Sequence, residues 1–174
     1  MRINQPTAWY VLYVKPRHEK KIENLLKEKQ IETYLPLVKT IRKWSDRKKM
    51  IESPLFPSYL FVKIDFRKDS ENVLSIRGFC TFIRFGSEFA KVQDHEIKSI
   101  RLLTEMSDVK DIENSDIAIK VGEYRRVQEG ALSGLDCEII NVNNVNKIIV
   151  RIDSIKHSIM ATLPSSFLSE LEVI

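Results

Sequence analysis

The run Trp9-Tyr10-Val11-Leu12-Tyr13-Val14, closed by Lys15-Pro16, constrains this chain more than any other segment. Six consecutive aromatic, β-branched and aliphatic residues read as a strand buried on both faces. Pro16 removes a ladder donor and ends it. The spacing then switches at once to a helical period over residues 17–30. His18, Ile22, Leu25 and Leu26 share one helical face, while Lys20, Lys21 and Lys27 lie off it. A buried strand feeding an amphipathic helix predicts a sheet with a helical layer against it.

The pattern continues with an extended stretch from Ile31 to Leu37, interrupted by Pro36, and a second strong strand, Ser58-Tyr59-Leu60-Phe61-Val62-Lys63-Ile64. Between them, Lys39 to Lys49 is dense in Lys and Arg around Trp44, with one acid, Asp46, and reads as a hairpin or a mobile loop. Asp69 or Ser70 is the expected cap of a short helix bearing Val73, Leu74 and Ile76. Gly78 ends that helix, and Phe79 to Phe85 makes a further strand. Asp94 caps a helix carrying Ile97, Ile100 and Leu103. The first hundred residues are thus an α+β unit, an antiparallel sheet packed with helices. Residues 106–119 are polar, acidic and weakly periodic, and read as a linker. Short strands follow at Tyr124–Val127, Asp136–Val142, Lys147–Ile152 and His157–Leu163. The turn signals between them, Gly130 to Gly134 and Asn143-Asn144, suit a small all-β barrel.

Charge divides the same way. The net +4 of the chain splits into +8 over residues 1–110 and −4 over residues 111–174. A basic front and an acidic tail suggest two units with different partners. No stretch approaches the ~20 apolar residues of a membrane span. Met1 to Pro6 shows no secretory h-region. Cys80 and Cys137 make no disulfide framework and read as reduced core thiols. The expectation is a cytoplasmic protein with no membrane partner, in which nothing requires more than a monomer.

Catalytic and metal chemistry find little support. His18-Glu19 would open a zinc-protease motif, but Ile22 stands where its second histidine belongs. His18, His95 and His157 have no ligand spacing with the two cysteines. Gly130-Ala131-Leu132-Ser133-Gly134 has the wrong spacing for a nucleophile elbow, and there is no phosphate-cradling glycine loop. The chain is expected to be no enzyme and to use no cofactor or metal.

Three constellations remain. By strand alternation, Trp9, Val11 and Tyr13 share one face and Tyr59 and Phe61 share one, so these aromatics form either an apolar docking patch or plain core. Arg17, Lys20, Lys21 and the loop Arg42-Lys43-Trp44-Ser45-Asp46-Arg47-Lys48-Lys49 interleave cations with an indole, which suits phosphate contact plus base stacking. The third is Val121-Gly122-Glu123-Tyr124-Arg125-Arg126-Val127 with the glycine segment after it.

These residues carry a resemblance. Trp9 to Tyr13, the helix from Arg17 with Glu19, Ile22 and Leu25, the segment Pro54-Leu55-Phe56-Pro57-Ser58-Tyr59-Leu60-Phe61-Val62, and Ile76-Arg77-Gly78-Phe79 followed by Phe82 to Gly86 are similar to a NusG N-terminal (NGN) domain. Val121 to Gly134 resembles a KOW motif opening a small five-stranded SH3-like β-barrel. The resemblance implies an NGN domain at 7–105, a linker at 106–119 and a KOW domain at 120–174. Lys43 to Lys49 resembles in particular the UpxY-type antiterminators of capsular polysaccharide operons, among specialised paralogs that include the RfaH and LoaP types.

Carried over by position, the resemblance implies an aromatic-lined pocket for the β′ clamp helices of bacterial RNA polymerase, made here by Tyr13, Phe56, Tyr59 and Phe61, with Phe82 as a further member. A contact with the β gate loop would fall at Lys68 to Asn72, which lacks the His-Thr-Thr-Thr run of the RfaH type. A DNA or nascent-RNA recruitment element would meet Lys15, Arg17, Lys20, Lys21 and Arg77, with Arg42, Lys43, Trp44, Arg47 and Lys48 of the basic loop. The KOW domain would recruit Rho or a ribosomal protein. Two other readings stand beside this one: a general NusG-type elongation factor, and an RNA-binding or ribosome-associated KOW protein. The RfaH type refolds its tail as a helical hairpin. The β-branched residues Ile139, Ile140, Val142, Val145, Ile148, Ile149, Val150 and Ile152 predict strands here instead.

Overall fold

The computed structural model describes residues 7–43, 47–106, 110–115, 122–127, 133–142, 145–162 and 171–173. The chain divides into two compact units, Met1–Asp94 and His95–Ile174.

The first unit runs β1 (Ala8–Val14), α1 (Glu19–Glu28), β2 (Glu32–Tyr34), β3 (Leu37–Lys43), β4 (Lys48–Pro54), β5 (Tyr59–Ile64), α2 (Phe66–Leu74), β6 (Phe79–Phe82), β7 (Arg84–Phe85), β8 (Glu88–Phe89) and β9 (Lys91–Val92). Its main sheet has the order β2-β5-β1-β6, with β9 also on β1, and every pairing is antiparallel. The strand read as buried on both faces is therefore central: β5 pairs along one edge, from Ala8↔Ile64 to Tyr13↔Tyr59, while β6 and β9 share the other.

Alternation divides the sheet. Tyr10, Leu12 and Val14 join Leu60, Val62 and Ile64 in a core completed by Ile22 and Leu26 of α1 and Val73 of α2. Each fully buried aliphatic side chain here contributes roughly 1.5–3 kcal/mol. Gly78 lets the chain pass this core. Its φ is +104°, and a Cβ there would stand 3.1 Å from Ile22 Cδ1. The basic stretch resolves into a hairpin, β3 with β4, whose strands pair with each other in register from Leu37↔Pro54 to Lys43↔Lys48.

The cap of α2 is not Asp69 or Ser70. The helix begins at Phe66, and Asp65 is its N-cap, its carboxylate accepting from the Arg67 N–H at 3.1 Å. Asp69 answers from inside the helix, accepting the Asp65 N–H at 3.0 Å. This reciprocal arrangement resembles a capping box displaced by one residue, so the sequence pattern pointed to its inner member. Asp65→Ala is expected to cost about 1 kcal/mol, read as a lower urea midpoint by tryptophan fluorescence.

The second unit holds α3 (Asp94–Glu105, all but its first residue), β10 (Lys110–Ser115), β11 (Glu123–Val127), β12 (Asp136–Val142), β13 (Val145–Ile152), a 3-10 turn at Asp153–Ile155, β14 (His157–Thr162) and β15 (Leu171–Val173). These strands form one antiparallel sheet in the order β10-β14-β13-β12-β11-β15. The β-branched run lies in β12 and β13, where Ile148, Ile149, Val150 and Ile152 are buried. Five strands, β11 to β15, come from the region expected to be all-β. The sixth, β10, lies within the stretch read as a linker and pairs with β14. A strand at a sheet end needs one neighbour and tolerates charge, which hides it from a hydrophobicity pattern. Among the described residues β10 and β15 end the order without pairing to each other. Gly122 precedes β11 so closely to β12 that a Cβ would collide with the Ile139 carbonyl.

Candidate functional site

Register on β1 and β5 assembles the aromatic set. Tyr13 lies opposite Tyr59 and Val11 opposite Phe61, all on the face away from Tyr10 and Leu12. The Tyr13 and Tyr59 rings meet edge to face at 6.2 Å. Phe61 contacts Phe56 edge to face at 6.0 Å and Tyr34 at 6.1 Å. The group has two levels: Tyr13 is 38% exposed and Tyr59 half-buried, while Phe56 and Phe61 are buried, as are Trp9 and Val11. The face is thus neither an open apolar patch nor wholly core. Tyr34 was not singled out by the sequence, since its three-residue strand shows no period. Its place follows from the Tyr34↔Phe61 pairing.

Phe82 stands apart from these four. It pairs with Leu12 and so takes the opposite face, where it packs against Tyr10, Phe66, Phe79 and Phe89 at centroid distances of 5.1–6.2 Å. It is buried in the helix-side core. Burial, followed by the nearby Asp65 charge, raises the Tyr10 phenol above its ordinary value in the same cluster.

A buried carboxylate shapes the loop that presents Phe56 and Tyr59. Glu19 opens α1 and accepts the Ser58 N–H at 3.0 Å, both residues being buried. Ser58 has φ +66°, left-handed backbone that a non-glycine residue adopts at a cost, and its carbonyl accepts from Val14 N at 2.9 Å. The helix start thereby fixes the turn into β5.

The basic residues fall into two groups. At the end of β1, Lys15 N–H donates to the Gly78 carbonyl at 2.9 Å, which sets Lys15 beside Arg77 in the chain's path. Lys15-Pro16-Arg17-His18 closes as a turn, with His18 N to Lys15 O at 3.1 Å and Arg17 at φ +65°. Lys15, Arg17, Lys20, Lys21 and Arg77 are all exposed. Lys20 reaches Glu52 of β4 at 3.5 Å, which ties α1 to the hairpin. Arg47 and Lys48 lie exposed at the other end of that hairpin. Arg42 and Lys43 are placed by backbone register alone, and Trp44 lies outside the described residues. Of the gate-loop stretch, Lys68 to Asn72 forms the middle of α2, with Lys68 Nζ 3.6 Å from Asp65.

In the second unit the polar side chains pair with one another. Arg126 grips Asp136 with two bonds of 2.5 and 2.7 Å, and Arg151 grips Glu138 with two of 2.6 and 3.0 Å. Burial pushes the Glu138 carboxyl up, but hydrogen bonds from Arg151 and Tyr124 and the Arg151 charge outweigh it, leaving it below the usual range. The Tyr124 phenol is raised, first by its hydrogen bond to Glu138. Of the two cysteines expected in the core only Cys137 is buried, Cys80 being exposed on β6. The Cys137 thiol is pushed up to about 11, chiefly by desolvation, and stays protonated at neutral pH. The pairs border a cavity of about 490 Å³ whose wall includes His95 and Lys98 of α3. Among the described residues no group of His, Cys, Asp and Glu could hold a metal, and no helix is long and apolar enough to cross a membrane.

Comparison with known proteins gives three concordant results. The family described as Transcription termination factor nusG matches residues 7–101. A Transcription termination/antitermination protein NusG from Borreliella burgdorferi is 26% identical over 155 residues, covering 75% of this chain and 84% of that protein. Among solved structures, Domain interaction in Thermotoga maritima NusG covers 97% of both chains with a TM-score of 0.53 at 23% identity, a likeness of fold.

Proposed function

The chain belongs to the NusG family of transcription termination and antitermination factors, and from that premise we propose that it is a specialised, UpxY-type antitermination factor. It binds RNA polymerase through an NGN domain at 7–105 and suppresses pausing and termination at a restricted operon set, such as one for capsular or exopolysaccharide synthesis. No covalent chemistry is needed. A protein that prefers the elongating polymerase stabilises that state by no more than its differential affinity for it.

One observation carries this reading: the exposed Tyr13 and half-buried Tyr59 over the buried Phe56 and Phe61. An aromatic surface held from beneath by packed rings is the kind of rigid anchor on which binding energy concentrates. The β′ clamp helices are its proposed partner, with the β gate loop meeting α2. The exposed Lys15, Arg17, Lys20, Lys21 and Arg77 are the proposed contacts of a DNA or RNA recruitment element. The strand order β14-β13-β12-β11-β15 supports reading 120–174 as the five-stranded KOW barrel, whose partner is Rho or a ribosomal protein. The factor acts as a cytoplasmic monomer.

Tyr13→Ala tests this directly. Its side chain is the most exposed of the four, so fold is preserved, and affinity for core RNA polymerase is expected to fall by more than about tenfold, or ~1.4 kcal/mol. Unchanged affinity in a variant of unchanged melting temperature overturns the assignment of the clamp contact.

A further inference from the structure

The β3–β4 hairpin carries a feature that its sequence alone does not show. Register sets Lys39 against Glu52, Ile41 against Met50, Arg42 against Lys49 and Lys43 against Lys48. Two successive rungs thus oppose cation to cation, an arrangement that weakens an isolated ribbon. Residues 37–54 hold six Lys and Arg against two Asp and Glu, so the hairpin alone carries a net charge equal to the +4 of the whole chain. The next rung is apolar. Ile41 and Met50 are 64% and 62% exposed, the most exposed large hydrophobic residues described. Lys39 and Lys48, both exposed, sit two positions away along the strands, on the same face by alternation.

Taking the nucleic-acid contact of the proposed function as its basis, we propose that this face of the hairpin holds nucleic acid at an unstacked base step, with its cations on phosphates and Ile41 and Met50 against the opened base faces. The phosphate backbone supplies negative charge to Lys39 and Lys48 on a face whose acid, Glu52, is engaged by Lys20. Two adjacent apolar side chains make too small a patch for the core of a protein interface, which takes some 20–30 residues a side. Against a closed duplex they would meet sugar and phosphate and gain little, whereas apolar side chains next to cations are the devices that enter between partly unstacked bases. The rung belongs to the two-stranded β3–β4 sheet and Tyr13 and Tyr59 to the main sheet, so the two contacts separate by mutation.

The test is fluorescence anisotropy with the full chain, without polymerase, comparing a DNA duplex with the same sequence carrying an unpaired bubble. Wild type is expected to bind the bubble about tenfold more tightly, the order of one stacked base. Ile41→Ser with Met50→Ser, both at exposed positions, removes that preference and leaves duplex affinity and its salt dependence intact. Lys39→Ala with Lys48→Ala, both on the Ile41 and Met50 face, weakens both substrates and flattens the salt slope by about 2. Equal binding of duplex and bubble by wild type overturns the proposal, as does a bubble preference that survives the serine pair. So does loss of polymerase affinity, without change on either DNA, in the serine pair, because it assigns the rung to a protein contact. Since no polymerase is present in the DNA assay, failure here leaves the Tyr13 result untouched, and failure at Tyr13 leaves this one standing.

Discussion

Phe61→Ala lowers the stability of the first unit by about 4 kcal/mol, the range for emptying a fully buried aromatic site. The ring is 0% exposed, and it lies between Phe56 and Tyr34 on the rung opposite Val11. Urea denaturation followed by tryptophan fluorescence reads the change well, because Trp9 is buried two residues from Val11 on the same strand face. Phe61→Leu recovers most of the loss by restoring volume. Where Phe61→Ala remains folded, its polymerase affinity is expected to fall less than that of Tyr13→Ala, since Phe61 supports the aromatic surface without reaching it. A midpoint within about 0.5 kcal/mol of wild type would contradict the packing described. A greater binding loss than Tyr13→Ala in folded protein would make Phe61 a contact residue.

Arg151→Ala has the second large effect, in the other unit. It strips the bidentate partner from Glu138, whose side chain is 1% exposed. Breaking a buried pair from one side costs ~3–5 kcal/mol, and the lower end applies because Arg151 is itself partly exposed. The pH dependence then changes sign. In wild type the Glu138 carboxyl lies below its ordinary value. Its stabilisation is therefore complete above the unfolded value of about 4.3 and is lost as pH falls through the folded one. Without Arg151, burial dominates and raises the carboxyl, so the variant loses stability as pH rises from the unfolded value through the raised one. Acidification from pH 7 toward about 5 should thus recover part of the loss in the variant and none in wild type. Both tryptophans precede residue 95, so dispersed methyl resonances from Ile148 to Ile152 are the suitable probe. Parallel pH profiles in the two proteins would mean that Glu138 is held by something other than Arg151.

Much of this fold is local in origin and therefore legible in the chain. The β1 and β5 runs, the face shared by Ile22 and Leu26, and the β-branched residues of β12 and β13 all announce themselves by composition or period. What escapes is set by pairing between distant residues. Phe82 looked like a member of the Tyr13 group until its register with Leu12 gave it the other face. Tyr34 joins Phe61 through a three-residue strand too short to show alternation. The acidic β10 has no apolar stripe, so only its partner β14 makes it a strand. The exposed Ile41 and Met50 are nine residues apart in sequence and become one feature only when the hairpin closes. The aromatic residue types of the candidate site were thus legible in the sequence, and their division into a surface level and a supporting level was not.

The central position of β1 also bears on how the protein emerges from the ribosome. Residues 8–14 leave the exit tunnel before all of their strand partners, residues 59–64, 79–82 and 91–92. At about 5–20 residues per second, the most apolar strand of the chain waits for roughly 2–9 s before β5 exists, and longer before its second edge is filled. During that interval α1 and the β3–β4 hairpin can form from local contacts, but neither pairs with β1, and an isolated helix of ten residues is marginal in water. The nascent chain therefore exposes Trp9 to Val14 unpaired for seconds, the kind of apolar, unpaired strand that is prone to association before its partners arrive. Synthesis rate across the basic hairpin codons, which separate β1 from its first partner, sets the length of that exposure.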